Sequence, residues 1–349
     1  MRLSLTFLLL ASIMAMACQK KHQEQCTSTN GQLFIRVNYA CGTAVDYDKL
    51  WNDPIYETLV REQFNSITAE NIMKPENLHP GPDTFNWTEA DQLISYCENN
   101  GIRVHGHTLI WHEQLPGWIE NFQGTSAQWD TLLKNHVFNI VNHFKGKVLS
   151  WDVVNEAFDE EGFLRSSVWK ENIGPSYIEK AFRYAHQADP EALLFYNDFS
   201  LALNPKKRKA VLALLNQLRA KGVPIDGIGM QMHIFNGFPE MIEIVDALDE
   251  LWKSDYLIHF SELDISINPF GKNLERAPKK ELERQAEKYL SVFQAYSRIP
   301  EQYQYGITIW GVRDSDSWIP SFYDRDDFPL LFDETGLPKP AYCKLIQHL

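Results

Sequence analysis

Residues 148–156, VLSWDVVNE, contain the pattern on which the interpretation of the fold rests. The apolar and β-branched run Val148–Val154 ends directly in Asn155 and Glu156. Strands that are buried on both faces of a parallel sheet give continuous runs of this kind rather than alternating ones. We therefore predict a buried strand here, with polar side chains at its carboxyl end.

Seven further runs have the same character and are predicted to be strands. They are Leu33–Tyr39, Phe64–Thr68, Ile102–Leu109, Leu193–Tyr196, Ile225–Met232, Tyr256–Ile265 and Tyr305–Trp310. The helical stretches between runs include Asp130–Phe144, Ser176–Ala188, Pro205–Lys221, Met241–Trp252 and Lys279–Tyr296. Alternating strands and helices are typical of parallel βα units, and eight strands predict a closed (β/α)8 barrel. A doubly wound open sheet is the alternative, but its GxGxxG turn does not follow the first run.

Polar and aromatic side chains of catalytic type recur at the carboxyl ends of seven runs. Active sites of α/β barrels are built at that face, so these side chains are expected to meet there. They are Glu70 and Asn71, His107 and Trp111, Asn155 and Glu156, Asn197 and Asp198, Gln231 and His233, Glu262 and Asp264, and Trp310.

The composition and the net charge limit the kinds of molecule that the protein is expected to bind. The formal net charge of −13 argues against nucleic acid, whose binding proteins neutralise phosphates with basic residues. An uncharged polymer is compatible with that charge. Ten Trp and fourteen Tyr are enough to supply flat rings for sugar stacking as well as for the core.

Two glutamates are candidates for the paired carboxyl groups that glycosidic-bond cleavage requires. Glu156 follows a predicted buried strand, and Glu262 lies within the apolar segment HFSELDISI (259–267). A charge in such a segment is costly unless it is paired or functional. Structural roles are the alternatives, since Glu156 could stabilise a helix amino terminus and Glu262 could form a salt bridge.

Six segments of the chain resemble glycoside hydrolase family 10, the endo-β-1,4-xylanases, and they occur in the family's order. Together they span most of residues 33–345. The segments are TAENIMKPE (68–76), HGHTLIWHEQLPGW (105–118), WDVVNEA (151–157), GMQMH (229–233), SELDI (261–265) and IWGVRDSDSW (309–318).

The resemblance implies a catalytic pair and its immediate neighbours. Glu156 corresponds to the acid/base and Glu262 to the nucleophile of a retaining mechanism. Asn155 corresponds to the residue that bonds the sugar 2-hydroxyl beside the cut, and Gln231 to a polar residue near the acid/base. His233 corresponds to the histidine that contacts the nucleophile.

The other residues implied by the resemblance complete that network and bind sugar. Asp264 would complete the network of His233 and the nucleophile. The pocket on the non-reducing side would consist of Glu70, Asn71, Lys74, His107, Trp111 and Gln114. Trp310 and Trp318 would form the aromatic walls over the sugars nearest the cut. Two positions depart from the family: Arg313 and Ser261 stand where Thr is common, so contacts on the aglycone side are expected to differ at Arg313.

The expected activity is hydrolysis of internal bonds of xylan and xylo-oligosaccharides, with no cofactor and no metal. An endo-glucanase of the same superfamily is one alternative; Gln114 and Trp310 would crowd the hydroxymethyl group that glucose has and xylose lacks. A surface protein that only binds xylan is the other. The presence of both Glu156 and Glu262 argues against it.

The amino terminus has the features of an export signal. Residues 1–17 contain a short positive start, an apolar run too short to span a membrane comfortably, and an AMA cleavage site. Cys18 follows directly and resembles the lipidated first residue of a bacterial lipoprotein, although Ala15 stands where Leu is preferred. We predict a polar tether at 18–32 and a single catalytic domain at 33–349. Membrane anchoring in the periplasm or at the cell surface is expected, with plain secretion as the alternative, and the domain is expected to be a monomer.

Four cysteines remain if Cys18 carries lipid. Cys26, Cys41, Cys97 and Cys343 form no C-x-x-C pair and have no metal-ligand spacing. Export permits disulfides, but the sequence does not indicate which cysteines pair.

Overall fold

The computed structural model describes residues 31–349. Its parallel sheet contains nine strands, which we number in chain order. They are Ala40–Val45 (β1), Ser66–Ala69 (β2), Arg103–Gly106 (β3), Ser150–Asn155 (β4), Leu193–Phe199 (β5), Gly227–Gln231 (β6), His233–Phe235 (β7), Leu257–Ser266 (β8) and Gln304–Ile309 (β9).

Eight of these strands close into a barrel. From β1 to β6 each strand pairs in parallel with the next, β6 pairs with β8, β8 with β9, and β9 returns to β1. The short β7 follows β6 and pairs with the carboxyl-terminal part of β8, where His233 lies opposite Asp264. The predicted (β/α)8 barrel is confirmed, and the open-sheet alternative is excluded because β1 and β9 are paired.

Helices surround the barrel and connect its strands. They are Tyr47–Asn52 (α1), Pro54–Gln63 (α2), Pro75–Leu78 (α3), Thr88–Asn100 (α4), Gly117–Glu120 (α5), Ser126–His143 (α6), Val168–Ile173 (α7), Tyr177–Ala188 (α8), Pro205–Ala220 (α9), Met241–Trp252 (α10), Lys279–Tyr296 (α11), Trp318–Tyr323 (α12) and Pro340–His348 (α13). The local sequence explains where several of these helices begin. Thr125 forms a capping box with Gln128 before α6, and Asn204 caps α9 ahead of Pro205.

The prediction for the first strand is wrong. Leu33–Arg36 is a 3-10 helix, and the first strand is Ala40–Val45, with the sequence ACGTAV. A Cβ on Gly42 would lie 3.0 Å from the Cβ of Ser66 on the neighbouring strand. This crowding favours small residues in β1, and a search for bulky apolar runs does not detect a strand of small residues.

Four rings fill the barrel interior towards the amino ends of the strands. His105, Phe195, His259 and Tyr305 come from β3, β5, β8 and β9, and the centroids of Phe195 and Tyr305 are 4.6 Å apart. Asp152 lies next to this layer, 3.1 Å from Nε2 of His105. The interior is therefore packed below the site, which leaves only the carboxyl-terminal face open for substrate.

The described residues test some of the predictions that were made for the amino terminus and for the cysteines. Cys41 and Cys97 are buried and free, whereas Cys343 is disulfide-bonded. The export signal, the lipidation site Cys18 and Cys26 lie outside the described residues. Gly31, within the predicted tether, already contacts the domain, because its carbonyl accepts a hydrogen bond of 2.9 Å from the Tyr342 hydroxyl. In residues 31–349 none of the helices is long and apolar enough to cross a membrane.

Candidate active site

Glu156 follows the last residue of β4 and has an unusual backbone conformation. Its φ is 55°, in the left-handed region that non-glycine residues seldom adopt. Three contacts hold it there: its N–H donates to the Asn197 carbonyl at 2.9 Å, Arg165 Nε donates to its carbonyl at 3.2 Å, and the next N–H, of Ala157, donates to the Tyr196 hydroxyl at 3.1 Å. The chain turns here so that the carboxylate faces the barrel mouth.

The Glu156 carboxylate accepts hydrogen bonds from three side chains. Trp111 Nε1 donates to Oε2 at 3.0 Å, and Gln231 Nε2 donates to Oε1 at 2.9 Å. Asn155 Nδ2 lies 3.3 Å from the same Oε1. The sequence-predicted residues Trp111, Asn155 and Gln231 are therefore all in contact with Glu156.

Glu262 lies within β8 and is 5% exposed. Its Oε1 accepts a hydrogen bond of 2.7 Å from Asn197 Nδ2, and its Oε2 lies 3.1 Å from His233 Nε2. Burial alone would raise the pKa of Glu262, but the bond from His233, the nearby imidazole of His107 and the bond from Asn197 lower it below its usual value. Glu262 is therefore ionised near neutral pH, as a carboxylate nucleophile must be.

His233 connects Glu262 to Asp264. Its Nδ1 lies 2.8 Å from Asp264 Oδ2, which also accepts a bond of 2.9 Å from Trp318 Nε1. Burial opposes the charged imidazole, but Asp264 and Glu262 raise the pKa of His233 to about 10. The ring is then protonated at neutral pH and donates from both nitrogens. The predicted network of Glu262, His233 and Asp264 is present, with Trp318 attached to it.

Asn197 joins the two glutamates; the sequence predicted its place at the carboxyl end of a strand but no role for it. Its Nδ2 donates to Glu262 and also to Asn155 Oδ1 at 2.9 Å, while Ser261 Oγ donates to its Oδ1 at 2.6 Å. A Cβ on Gly229 would lie 2.2 Å from Asn197 Oδ1, so only glycine leaves room for this amide. Its place at the carboxyl end of β5 was the available sequence signal.

Behind Glu156 lies a buried ion pair that the sequence did not indicate. Lys207 Nζ is 2.7 Å from Asp198 Oδ1, and both side chains are fully buried. Tyr196, whose hydroxyl accepts the Ala157 N–H, donates to Asp198 through a short hydrogen bond. Burial raises the pKa of Asp198 to about 7, although Lys207 and Tyr196 lower it. The Lys207–Asp198 ion pair therefore holds the Tyr196 hydroxyl beneath the turn at Glu156.

The predicted sugar pocket lies on one side of the catalytic pair. Lys74 Nζ donates to Asn71 Oδ1 at 3.1 Å and to Gln114 Oε1 at 2.7 Å, and it lies 5.3 Å from the centroid of Trp111. Burial raises the pKa of Glu70 and lowers the pKa of Lys74, although each charge opposes the shift of the other. These five side chains present donors and acceptors that suit vicinal hydroxyls.

His107 and the two aromatic walls complete the predicted set. His107 Nδ1 lies 2.9 Å from Asp152 Oδ2, and the imidazoles of His105 and His107 hold the pKa of Asp152 well below its usual value against the effect of burial. The centroid of Trp310 is 5.4 Å from that of His107, and the centroid of Trp318 is 4.9 Å from that of His233. All the sequence-predicted residues therefore lie at the carboxyl-terminal mouth of the barrel.

Arg313 forms ion pairs within the barrel wall, and the expected difference in aglycone contacts at this position stays a prediction. The side chain is nearly buried and contacts Asp316 at 2.9 Å and Asp53 at 2.7 Å. Its guanidinium lies 5.4 Å from the ring of Tyr56. It connects the loop after β9 to the start of α2.

The described part of the chain contains no candidate metal-binding site. No group of three or more His, Cys, Asp and Glu side chains in residues 31–349 is arranged to hold an ion. The site as built offers paired carboxyl groups, amide donors and aromatic rings.

Comparisons with known proteins agree with this geometry. An endo-1,4-beta-xylanase of Geobacillus stearothermophilus is 41% identical over 302 residues, covering 83% of this chain and 90% of the relative. The crystal structure of xylanase 10B from Thermotoga maritima is 38% identical with a TM-score of 0.85, covering 90% of this chain and 96% of that one. Xylanase 10B of Thermotoga petrophila RKU-1, solved in complex with xylobiose, is 36% identical with a TM-score of 0.85 and coverages of 93% and 98%. The family model described as Glycosyl hydrolase family 10 matches residues 31–348, and the chain therefore belongs to glycosyl hydrolase family 10.

Proposed function

We propose that this protein is an endo-1,4-β-xylanase that hydrolyses internal β-1,4-xylosidic bonds of xylan with retention of configuration. The observation that carries the proposal is the hydrogen-bonded connection between two carboxylates at the mouth of a family 10 barrel. Glu156 bonds Gln231, Gln231 bonds Asn155, and Asn197 bonds both Asn155 and Glu262. This pair supplies the proton donor and the nucleophile of a double displacement.

The first step forms a covalent intermediate. Glu262 attacks the anomeric carbon, and the bond to the leaving oxygen breaks while Glu156 gives that oxygen a proton. The low pKa of Glu262 keeps the attacking oxygens unprotonated. In the second step Glu156 removes a proton from water, which attacks the same carbon and releases Glu262.

The sugar pocket supports xylan as the substrate. Gln114 is fixed between Lys74 and Glu76, with its Nε2 donating to Glu76 Oε1 at 2.9 Å. Trp310 is 7% exposed and packs edge-on against His107. These contacts hold both side chains in place. The family resemblance implies that Gln114 and Trp310 crowd the hydroxymethyl group that glucose has and xylose lacks. The xylobiose complex of the T. petrophila enzyme agrees with this preference.

Two measurements test the activity and its stereochemistry. Reducing-sugar release is expected to be high on xylan and low on carboxymethylcellulose. Proton NMR of the reaction is expected to show the β-anomer of the new reducing end first. Early appearance of the α-anomer would reject the retaining mechanism, and faster release from the cellulose derivative would favour an endo-glucanase.

We further propose that the protein is exported and held at a membrane by lipid on Cys18, and that it is a monomer. The AMA site before Cys18 supports export, and so does the disulfide at Cys343, because disulfides persist in oxidising compartments. Cell fractionation of wild type and Cys18→Ser tests the anchor: the variant alone should become soluble. Equal solubility of both would leave secretion without an anchor. Light scattering should give the mass of one chain.

A further inference from the structure

A groove of about 560 Å³ lies on the outer wall of the barrel, between α1 and α4, and no part of the proposed mechanism uses it. It lies outside the catalytic mouth. The residues that line it are Trp51, Asp91, Gln92, Ser95, Tyr96, Asn99 and Asn100.

The groove contains an exposed aromatic ring that is held in place. Trp51 is 47% exposed, an unusual state for so large an apolar side chain. Its ring meets Tyr47 edge-to-face at 6.1 Å and Tyr96 edge-to-face at 5.9 Å. Two rings therefore brace Trp51 while part of its surface remains open to solvent. A braced, open ring is a platform on which a flat apolar face can stack with little loss of side-chain entropy.

Polar groups without charge line the opposite side. Gln92, Ser95 and Asn99 are exposed and follow the helical spacing that places side chains on one face of α4. They offer amide and hydroxyl donors and acceptors beside the ring. The Tyr47 hydroxyl donates to Gln92 through a short hydrogen bond, which ties the aromatic and polar sides together.

Charge in the groove indicates a neutral ligand. The only ionisable carboxylate in its lining is Asp91, whose Oδ1 lies 2.9 Å from His143 Nε2. No Lys or Arg of residues 31–349 is among the lining residues. Nucleic acid and other polyanions would find no basic partner here. A hydroxyl-rich, uncharged chain with apolar ring faces matches both the ring and the amides.

Helix α1 is the element that the groove shares with the wall of the catalytic mouth. On α1, Lys49 Nζ lies 3.1 Å from Asp316, in the segment just before Trp318. Lys49 is also close enough to Glu70 in the sugar pocket to affect its pKa. Trp51 is two residues further along the same helix, so its side chain lies roughly 200° around the helix axis from that of Lys49. Helix α1 therefore has one face toward the catalytic mouth and another toward the groove.

We propose that this groove is a second, non-catalytic binding site for the xylan chain. The site would hold one stretch of polymer on the barrel wall while another stretch occupies the catalytic mouth. The increased local concentration of polymer would then raise the rate on long or insoluble xylan. The inference rests on the proposed xylanase function and adds a polymer-binding site to it.

The experiment compares the effect of each variant on a small substrate with its effect on the polymer. Trp51→Ala and Asn99→Ala are compared with wild type on an aryl xylobioside, which fits the catalytic mouth alone, and on insoluble xylan. The expected result is an unchanged kcat/KM on the xylobioside and a loss of roughly three- to tenfold in binding and initial rate on insoluble xylan. Trp51→Tyr, which keeps an aromatic ring, should retain most of the binding. Ile242→Ala is the matched control, since Ile242 is 60% exposed on α10, which does not line the groove.

Each outcome bears on one proposal or the other. If Trp51→Ala binds and degrades insoluble xylan as wild type does, the groove is not a xylan site, while the xylanase function stands. Equal losses on both substrates would also contradict the groove, because Trp51 would then act through the catalytic mouth. If wild type fails to cleave the xylobioside and xylan alike, the proposed function itself is wrong.

Discussion

Glu156 combines its proposed proton-transfer role with a backbone conformation that a glutamate seldom adopts. Left-handed backbone in a non-glycine residue costs on the order of 1–3 kcal/mol and persists only where its surroundings impose it. Asn197, Arg165 and Tyr196 provide those surroundings through three hydrogen bonds. The sequence indicated Glu156 from its motif and placed Asn197 at the same face, but it did not indicate that Asn197, Arg165 and Tyr196 hold this turn, because their contacts depend on the turn itself.

Replacing Tyr196 by Phe should misplace the proton donor without removing it. The Ala157 N–H loses its acceptor, and the Glu156 carboxylate moves relative to the leaving oxygen. General acid catalysis contributes about 10²–10⁴-fold, so kcat/KM on xylan should fall roughly tenfold to a hundredfold. For an aryl xylobioside whose leaving group needs no proton, kcat/KM should change by less than about threefold.

Tyr256→Phe is the control for Tyr196→Phe. Tyr256 is also buried, and its hydroxyl bonds Asn216, away from the site. That variant should keep both rates. Parallel losses on the two substrates in Tyr196→Phe would show a general loss of folded enzyme and contradict the positioning role.

Asn197→Ala should move the acidic limb of the pH profile. The bond from Asn197 is one of the interactions that lower the pKa of Glu262, so its removal raises that pKa. Because Glu262 must be ionised to attack, the acidic limb of kcat/KM should shift to higher pH. Ser261→Thr keeps a hydroxyl for Asn197 and should leave the limb in place. An unshifted limb in Asn197→Ala would mean that this amide does not tune the nucleophile.

At the scale of elements, the sequence predicted bulky and periodic segments well. Helices α10 and α11 have the predicted bounds, because their apolar spacing is regular and breaks at both ends. Strand β1 was missed since its residues are small, and their size is set by neighbouring strands that the local sequence does not reveal. The short β7 was missed because its pairing with β8 needs the folded loop.

Arg313 ties the loop after β9 to α2, and its removal should weaken the barrel wall. In Arg313→Thr, Asp53 and Asp316 lose a nearly buried partner, although Asp316 keeps Lys49. Breaking a buried ion pair by removing one partner costs about 3–5 kcal/mol, so we expect the free energy of unfolding to fall by about 2–4 kcal/mol in urea denaturation.

The matched control for Arg313→Thr is Arg284→Thr. The side chain of Arg284 is 54% exposed and pairs with Glu281 on the surface of α11. Exposed pairs contribute roughly 0–1 kcal/mol, so this change should be nearly neutral. A comparable loss in the two variants would show that the Arg313 network is no stronger than a surface pair.

At the scale of the whole molecule, closure of the barrel brings together side chains that are far apart in the sequence. Glu70 and Trp310 come from opposite ends of the domain and share one mouth because β1 pairs with β9. The alternating strand and helix patterns were enough to predict the barrel, and the motifs were enough to predict most residues of the mouth. They could not predict that Asn197 would bridge Asn155 and Glu262, because that contact depends on the registers of β4, β5 and β8.

We assign Glu156 as the acid/base and Glu262 as the nucleophile of a retaining xylanase. Azide rescue of Glu156→Ala on an activated aryl xylobioside is the decisive experiment for this assignment. Glu262 should still form the glycosyl-enzyme, its hydrolysis should be slow without a base, and azide, which needs none, should speed turnover and yield a β-xylobiosyl azide. Glu262→Ala should give no such product. No acceleration by azide in Glu156→Ala, or an α-linked azide, would contradict the assignment of the pair.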